Sequence, residues 1–291
     1  MPELPEVETV VRDLRRKLIG QAITDLWQDQ TMIIKDWRKQ RRRVFDPVLI
    51  KRFRRDVLGK RVVAVQRRGK NILIFLEGDI CLLVHLKMTG HFLFGDWSDG
   101  QRRAENYIHV VFNLDSGTDL AFSDVRKFGK ILWGAASEIL NLPEIVKLGP
   151  EPMEDSFTRE VLSLRLIGVR TPLKPVLMDP KRIAGIGNIY ADEILWRARI
   201  SPYLSARDLK SSQIKSLHVA IRAVLSRAID LRGTSMRDYR DTSGEKGSYY
   251  DVVSVYGRHG KPCRRCRTQI VREVLRGRST HFCPRCQPRL A

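Results

Sequence analysis

Two cysteine pairs near the C-terminus, Cys263-x-x-Cys266 and Cys283-x-x-Cys286, stand sixteen residues apart and constrain this chain more than any other feature. Each C-x-x-C is a short turn that aims two thiolates at one point, and a hairpin between the pairs brings them together as a tetrahedron. The expected ion is one structural zinc. Four thiolates leave no open coordination position, so it shapes a ribbon and takes no part in chemistry. Two disulfides or a redox pair are the alternatives. Disulfides do not suit a chain that opens MPELPEVETVVRD, without a basic segment and an apolar run to direct export, and a redox motif does not need two matched pairs. The expected compartment is the cytoplasm. Cys81, inside the apolar run DICLLVHL, reads as an inert core residue.

A length of 291 residues favours about two domains, each able to bury its own core. No repeat, low-complexity tract or apolar run of membrane-spanning length interrupts the chain. Its formal charge of +20 exceeds what solubility requires and points to a polyanionic partner. Nucleic acid leads, with a ribosome-associated role or binding to acidic lipids as the alternatives that charge leaves open.

The first half alternates strand-like runs with Gly, Asp or Asn punctuation: RVVAVQRR, NILIFLEG, ICLLVHLKM, YIHVVFNLDSG and ILWGA. One helix opens it, since Pro5 suits a first turn and Val7, Val10, Val11, Leu14 and Leu18 follow helical spacing up to Gly20. Prolines 143, 150 and 152 mark a hinge near residue 150, after which helical patterns dominate. The spacing predicts helices over 157–166, 172–179, 189–198 and 206–231, with Asp208 and Ser212 in an early turn and Gly233 as a stop. From 258 to 291 there are ten Lys or Arg and one acid, Glu273, so the cysteine module is a dense cationic surface. A second cluster, Lys35 to Arg55, holds ten Lys or Arg against Asp36 and Asp46. It reads either as a solvated helix face with Phe53 and Leu49 turned inward or as a set of phosphate contacts.

Chain starts are usually frayed, and Met1-Pro2-Glu3-Leu4-Pro5-Glu6 packs two acids and two prolines unusually tightly. Removal of Met1 leaves position 2 as a secondary amine. An α-amino group titrates near ~8 against ~10.4 for lysine, so much more of it is neutral and nucleophilic near neutral pH. Such an amine can attack a sugar carbon, and the iminium ion it forms on an opened sugar acidifies the neighbouring carbon and drives loss of phosphate. The other reading of Glu3 and Glu6 is as partners of a helix N-terminal dipole.

Over essentially its whole length the chain resembles the bacterial formamidopyrimidine-DNA glycosylase family, the MutM-type 8-oxoguanine DNA glycosylases. MPELPEVET, QRRGKNILI, HLKMTG, DVRKFG, LGPEP, MDPKRIAGIGNIYADEIL, VYGRHGKPC and the paired cysteines occur in the family order. The resemblance implies an α+β multi-domain protein: an N-terminal catalytic β-sandwich with flanking helices (1–150), a helical helix-two-turn-helix domain with a lesion-capping loop (151–255) and a zinc-ribbon DNA-binding module (256–291), with DNA in the cleft between the lobes. It implies Pro2 as nucleophile, Glu3 as the acid/base group for sugar ring opening and Glu6 as a supporting carboxylate.

Lys70, His85, Asn188 and Arg258 match the positions that clamp phosphates around the everted nucleotide, with Lys70 counted among the catalytic set. From the residues alone, His85 reads equally as a satisfied core histidine, and Gly185 and Gly187 as a helix–helix turn. Met88, Arg126 and Phe128 match the trio that fills the hole left by the flipped base; without the resemblance, Met88 and Phe128 read as core. Residues 234–248 occupy the place of the lesion-capping loop, with Thr234, Ser235, Arg237 and Tyr239 as candidate base contacts. Arg232 stands where many relatives have a second glycine, and the Lys35 to Arg55 region is longer and more basic than in common relatives.

The implied function is a monomeric base-excision-repair enzyme acting on double-stranded DNA that contains oxidised purines. It is a bifunctional glycosylase and AP lyase for 8-oxoguanine and formamidopyrimidines, working by a Pro2 Schiff base and β,δ-elimination. Two rivals are the sister enzymes that remove oxidised pyrimidines and a non-catalytic DNA-binding protein. Leu4-Pro5 after Glu3 favours the purine branch over the first, and retention of Pro2, Glu3 and Lys70 disfavours the second.

Overall fold

A computed structural model of the chain describes residues 1–29, 33–37, 46–234 and 240–289. They form two compact units, one of Met1–Val146 with Arg232–Gly247, the other of Lys147–Leu231 with Ser248–Ala291. The stretch 232–247, which falls inside the helical half of the sequence, therefore clusters with the N-terminal unit.

The N-terminal unit begins with α1 (Leu4–Leu18), β1 (Ile23–Gln28), β2 (Ile34–Asp36), α2 (Pro47–Val57), β3 (Val62–Arg68), β4 (Asn71–Leu76), β5 (Ile80–His85) and β6 (His91–Gly95). It continues with α3 (Gly100–Glu105), β7 (Ile108–Leu114), β8 (Asp119–Ser123), β9 (Lys130–Ala135), α4 (Ala136–Leu140) and α5 (Pro143–Val146). Two sheets result, ordered β1-β7-β8-β6 and β2-β9-β5-β4-β3. All pairings are antiparallel except β2 with β9.

The sheets share one core and form a sandwich. Ile72, Ile74, Leu82 and Val84 of the five-stranded sheet pack with Val110, Phe112, Leu120 and Phe122 of the four-stranded one, and α1 adds Val7, Val10, Val11 and Leu14. The alternate residues Leu73, Cys81, Leu83 and Leu132 face the other way, onto Ile139, Leu142 and Ile145 of α4, its C-cap region and α5. Burial on both faces explains why NILIFL and ICLLVH are continuous apolar runs without a period of two. Cys81 is a core thiol, and burial, reinforced by Asp79, pushes it up to about 12.

Asp46 caps α2 by accepting the Val48 N–H at 3.0 Å, and the helix buries Phe53 and Val57 while Leu49 packs partly against the core. Over residues 46–55 the basic cluster is thus an outward helix face, in which Arg54 pairs with Asp25 at 2.5 Å and Arg55 with Asp56 at 2.9 Å. Residues 38–45 of that cluster lie outside the described residues.

The second unit holds α6 (Arg159–Leu166), α7 (Leu173–Met178), α8 (Asn188–Ala198), α9 (Ser211–Asp230), α10 (Tyr249–Val252) and the hairpin β10 (Val271–Leu275) and β11 (Arg278–Phe282). The spacing predicts one helix over 206–231, but the chain forms a 3-10 turn at Ala206–Asp208 and starts α9 afresh after Lys210. The amides of Ala206 and Arg207 donate to the carbonyls of Thr171 and Val169, and extended backbone at Leu209 and Lys210, with ψ of 126° and 154°, ends that turn before α9 begins. At the other end α9 closes at Leu231, with Arg232 already left-handed at φ 58°, two residues before Gly233.

A buried ion pair, Lys174 Nζ to Asp192 Oδ1 at 2.8 Å, ties α7 to α8, and Asp192 Oδ2 accepts the His281 N–H of β11 at 2.9 Å. The hairpin is thereby fixed to the helices that precede it. No helix among the described residues is long and apolar enough to cross a membrane.

Candidate active site and metal centre

The start of α1 is a buried carboxylate site. Glu3 is the N-cap and Glu6 the third helical residue, and together they form a reciprocal capping box in which the Glu3 N–H donates to Glu6 Oε2 at 2.8 Å. The other Glu6 oxygen accepts the Thr234 N–H at 2.6 Å. Pro2, Glu3 and Glu6 are all buried. Glu6 is thus a helix-end partner through one oxygen and holds the Thr234 backbone through the other.

Gly233 makes this approach possible. Its φ is +81°, and a Cβ there would stand 2.7 Å from Glu6 Oε1. Arg232 fixes the stretch from the other side: its Nη2 lies 2.5 Å from Asp13 Oδ2 of α1 and 2.6 Å from Asp241 Oδ2. Of the four candidate base contacts, Thr234 sits against Glu6, while Ser235, Arg237 and Tyr239 lie outside the described residues.

Helix α1 is bolted to β3 by Arg15 Nε donating to the Val65 carbonyl at 2.7 Å and by a well-shielded Glu8–Arg67 ion pair at 2.8 Å. Lys70 occupies the turn directly after β3, so the chain start and Lys70 ride on one packed assembly. His85 ends β5 opposite Lys130 of β9. Burial, with the charges of Lys87, Lys130 and Lys70, pushes its pKa down to about 3. Its Nδ1 accepts the Lys87 N–H at 3.0 Å, which leaves the proton on Nε2 and makes His85 a neutral donor.

Met88, Arg126 and Phe128 are surface residues rather than core. Met88 is 38% and Phe128 51% exposed, and the Arg126 guanidinium lies 4.7 Å from the Phe128 ring centroid. Lys35 and Lys87, neither singled out by motif, are half-buried near Lys130, and burial followed by the Lys130 charge lowers both pKa values. That cationic edge comes from β2, β5 and β9 meeting in one sheet, which the sequence does not display.

In the second unit, Asn188 opens α8, its Nδ2 is 3.3 Å from Ser279 Oγ, and its buried Oδ1 has no hydrogen-bond partner among the described residues. Turning the amide over lets the Ser279 hydroxyl donate to Oδ1 and frees the NH₂ for an anion. Arg258 uses two donors on the carbonyls of Ser254 and Pro262, at 3.0 and 3.1 Å. The loop before it is held by Glu193, a buried carboxylate of α8 that accepts N–H groups from Ser254, Val255 and Tyr256 at 2.8–2.9 Å. Glu193 was part of a recognised motif but gave no sign of this role, because its partners are about sixty residues away.

Cys263, Cys266, Cys283 and Cys286 converge, with all four sulfurs within 4.8 Å of one another. Tetrahedral zinc at about 2.3 Å from each sulfur requires separations only slightly under ~4 Å. Cys263 Sγ accepts the Trp196 indole N–H and the Arg265 N–H, and Cys283 Sγ the Cys286 N–H, each at 3.4 Å. Such donors suit thiolates that ligate a metal. The residues fit one structural zinc, and Val255, Ile270 and Trp196 pack with the four cysteines.

Three family models cover the chain: the formamidopyrimidine-DNA glycosylase N-terminal domain over residues 1–131, the formamidopyrimidine-DNA glycosylase H2TH domain over 148–240, and a zinc finger found in FPG and IleRS over 260–289. A formamidopyrimidine-DNA glycosylase of Carboxydothermus hydrogenoformans is 43% identical over 287 residues, covering 99% of this chain and 100% of that protein. One of Pelotomaculum thermopropionicum is 42% identical over 288 residues, covering 99% of each. Among solved structures, a Lactococcus lactis FPG variant in complex with a Fapy-dG containing DNA superposes with a TM-score of 0.87 at 32% identity, covering 99% of this chain and 100% of that one. The MutM (FPG) protein of Thermus thermophilus does so with a TM-score of 0.83 at 35% identity, covering 100% of both.

Proposed function

The chain belongs to the formamidopyrimidine-DNA glycosylase family, zinc-binding DNA glycosylases of DNA repair, and from that premise we propose that it removes oxidised purines from duplex DNA and then nicks the strand. The substrates are 8-oxoguanine opposite cytosine and ring-opened formamidopyrimidines. The protein works as a monomer, in the cytoplasm and on the nucleoid.

The observation that carries this reading is the carboxylate pair at the buried chain start, where Glu6 binds the Glu3 N–H and the Thr234 N–H at once. Loss of Met1 turns the Pro2 nitrogen into a secondary amine beside that pair. The nitrogen attacks C1′ of the everted nucleotide, the bond from C1′ to the base breaks, and the base leaves with a proton. Glu3 delivers a proton to the ring oxygen as the C1′–O4′ bond opens, leaving an iminium ion between Pro2 and the sugar. Abstraction of a C2′ proton then expels the 3′ phosphate, a second elimination expels the 5′ phosphate, and water releases the enzyme. Glu6 does not react; its two N–H bonds hold Glu3 and the 233–234 backbone in place.

Lys70, neutral His85, Asn188 and Arg258 hold phosphates, and Met88, Arg126 and Phe128 enter the stack vacated by the flipped base. The four cysteines hold zinc, which keeps the ribbon that carries part of the cationic surface in shape and supplies no chemistry to the reaction.

Sodium borohydride trapping tests the reading. The protein, checked by mass for removal of Met1, is mixed with duplexes carrying 8-oxoguanine, a formamidopyrimidine or an oxidised pyrimidine. A covalent adduct through residue 2, formed faster on the purine lesions, is expected. No adduct on any duplex sinks the enzyme, and preference for the pyrimidine moves it to the sister class.

A further inference from the structure

Thr89 and Asp124 join two turns of the N-terminal unit, 35 residues apart in the chain. The first turn follows β5 and carries Met88; the second follows β8 and carries Arg126 and Phe128. The two are built alike. Lys87 and Lys127 each adopt the left-handed region at φ 57°, and the residue after each, Met88 or Phe128, is exposed.

The Thr89 hydroxyl donates to Asp124 Oδ1 and accepts the Arg126 N–H at 3.1 Å. Asp124 Oδ1 also receives the Arg126 N–H, at 3.2 Å, and Oδ2 receives that of Gly129 at 2.6 Å. Behind them His109 Nε2 lies 2.9 Å from the Asp124 carbonyl. Both side chains are buried, Asp124 completely. Two glycines let the turns close this tightly: a Cβ on Gly90 would stand 2.5 Å from the Leu86 carbonyl oxygen, and one on Gly129 2.7 Å from the Phe122 ring.

A buried carboxylate contributes little to stability that apolar packing could not supply, because its desolvation offsets its bonds. What this one supplies is a fixed register between two turn tips, since each of its oxygens and the Thr89 hydroxyl is committed to a particular partner. We propose that Thr89 and Asp124 are positioning residues that lock the Met88 turn and the Arg126–Phe128 turn into one preordered wedge, so that the three side chains enter the base stack as a unit. The inference rests on the assignment of those three side chains to the space left by the flipped base. Two loops that moved independently would each have to be ordered on binding DNA, whereas a braced pair has little freedom left to lose.

Thr89→Val removes the hydroxyl and keeps the shape, and Thr89→Ser keeps the hydroxyl. Single-turnover excision of 8-oxoguanine is measured on a fully paired duplex and on a strand whose lesion sits in an unpaired bubble, where there is no stack to fill. Thr89→Val should slow the paired reaction about tenfold or more and the bubble reaction by less than about twofold, with Thr89→Ser restoring the paired rate. Met88→Ala, run in parallel, should also slow the paired reaction. An equal loss on both DNAs, or no loss for Thr89→Val while Met88→Ala is slow, overturns the brace. No loss for Met88→Ala overturns the wedge assignment, and the brace with it. Should Thr89→Val fail to fold, Asp124→Asn, which keeps the side-chain shape, is judged by the same comparison of paired and bubble DNA.

Discussion

Arg232 Nη2 lies 2.5 Å from Asp13 Oδ2, an ion pair that spans 219 residues of sequence and whose aspartate is only 3% exposed. The same guanidinium reaches Asp241, whose other oxygen accepts the N–H groups of Ser243 and Glu245 at 2.9 Å each. A residue that looked like a lost glycine in a loop is therefore a clamp, holding the stretch that presents Thr234 to Glu6 against α1.

Replacing Arg232 by Met should destabilise the N-terminal unit by about 1–3 kcal/mol at neutral pH, a range discounted because the arginine is half exposed. Burial acts to raise the Asp13 pKa, but hydrogen bonds from Arg232 and Arg16 outweigh it and hold the carboxyl below the usual aspartate range. A lowered folded pKa contributes stability that is complete above the unfolded value near ~3.9 and is lost as pH falls through the folded one. The gap between parent and variant in urea melts should therefore be widest at neutral pH and shrink in acid.

Gly233→Ala should cut single-turnover excision by about tenfold or more with a much smaller change in DNA affinity, since its methyl group displaces Glu6 rather than any phosphate contact. Left-handed backbone adds about 1 kcal/mol of strain for any residue with a Cβ. Equal losses in rate and affinity would place the damage elsewhere.

His109 bridges the Asp29 carboxylate, 2.7 Å from Nδ1, and the Asp124 carbonyl, and with both ring nitrogens facing acceptors it favours the imidazolium. Burial works against the charge, but the Asp29 and Asp124 bonds prevail and raise the pKa. Stability from this source is fully present below the unfolded value near ~6.5 and disappears as pH rises through the higher folded one. A proton NMR titration should put the His109 midpoint above that reference, and His109→Gln should flatten the stability profile over the same interval.

Cys263→Ser should release zinc, read as metal per chain by atomic emission, and weaken DNA binding by about tenfold or more as the ribbon loses its shape. Cys81 should stay unreactive toward iodoacetamide in the same variant, because its burial owes nothing to the metal.

If about four to six phosphates are neutralised, log affinity should fall with log salt at a slope of roughly −4 to −5. Arg258→Ala should reduce that slope by about one, whereas His85→Ala should weaken binding with the slope unchanged, since His85 is neutral.

Read alone, the sequence determined what depends on neighbours along the chain. Helix α1 follows from apolar spacing after Pro5, the strands β3, β4, β5, β7 and β9 from β-branched runs, and the zinc set from paired thiols on short turns. Chain order and short motifs likewise sufficed for the family. The short strands β1, β2, β6 and β8 went unread, because three to six residues without strong alternation carry too little local signal.

Only tertiary structure decided the rest. The 3-10 turn before α9 is held by the carbonyls of residues 169 and 171, the close approach of Glu6 depends on Gly233, and the turn that carries Met88 meets a carboxylate from the turn that carries Phe128. Such features are made by polar groups whose partners come from distant parts of the chain. Their strength depends on removal from water, which no residue's identity or spacing can report until the chain has closed around it.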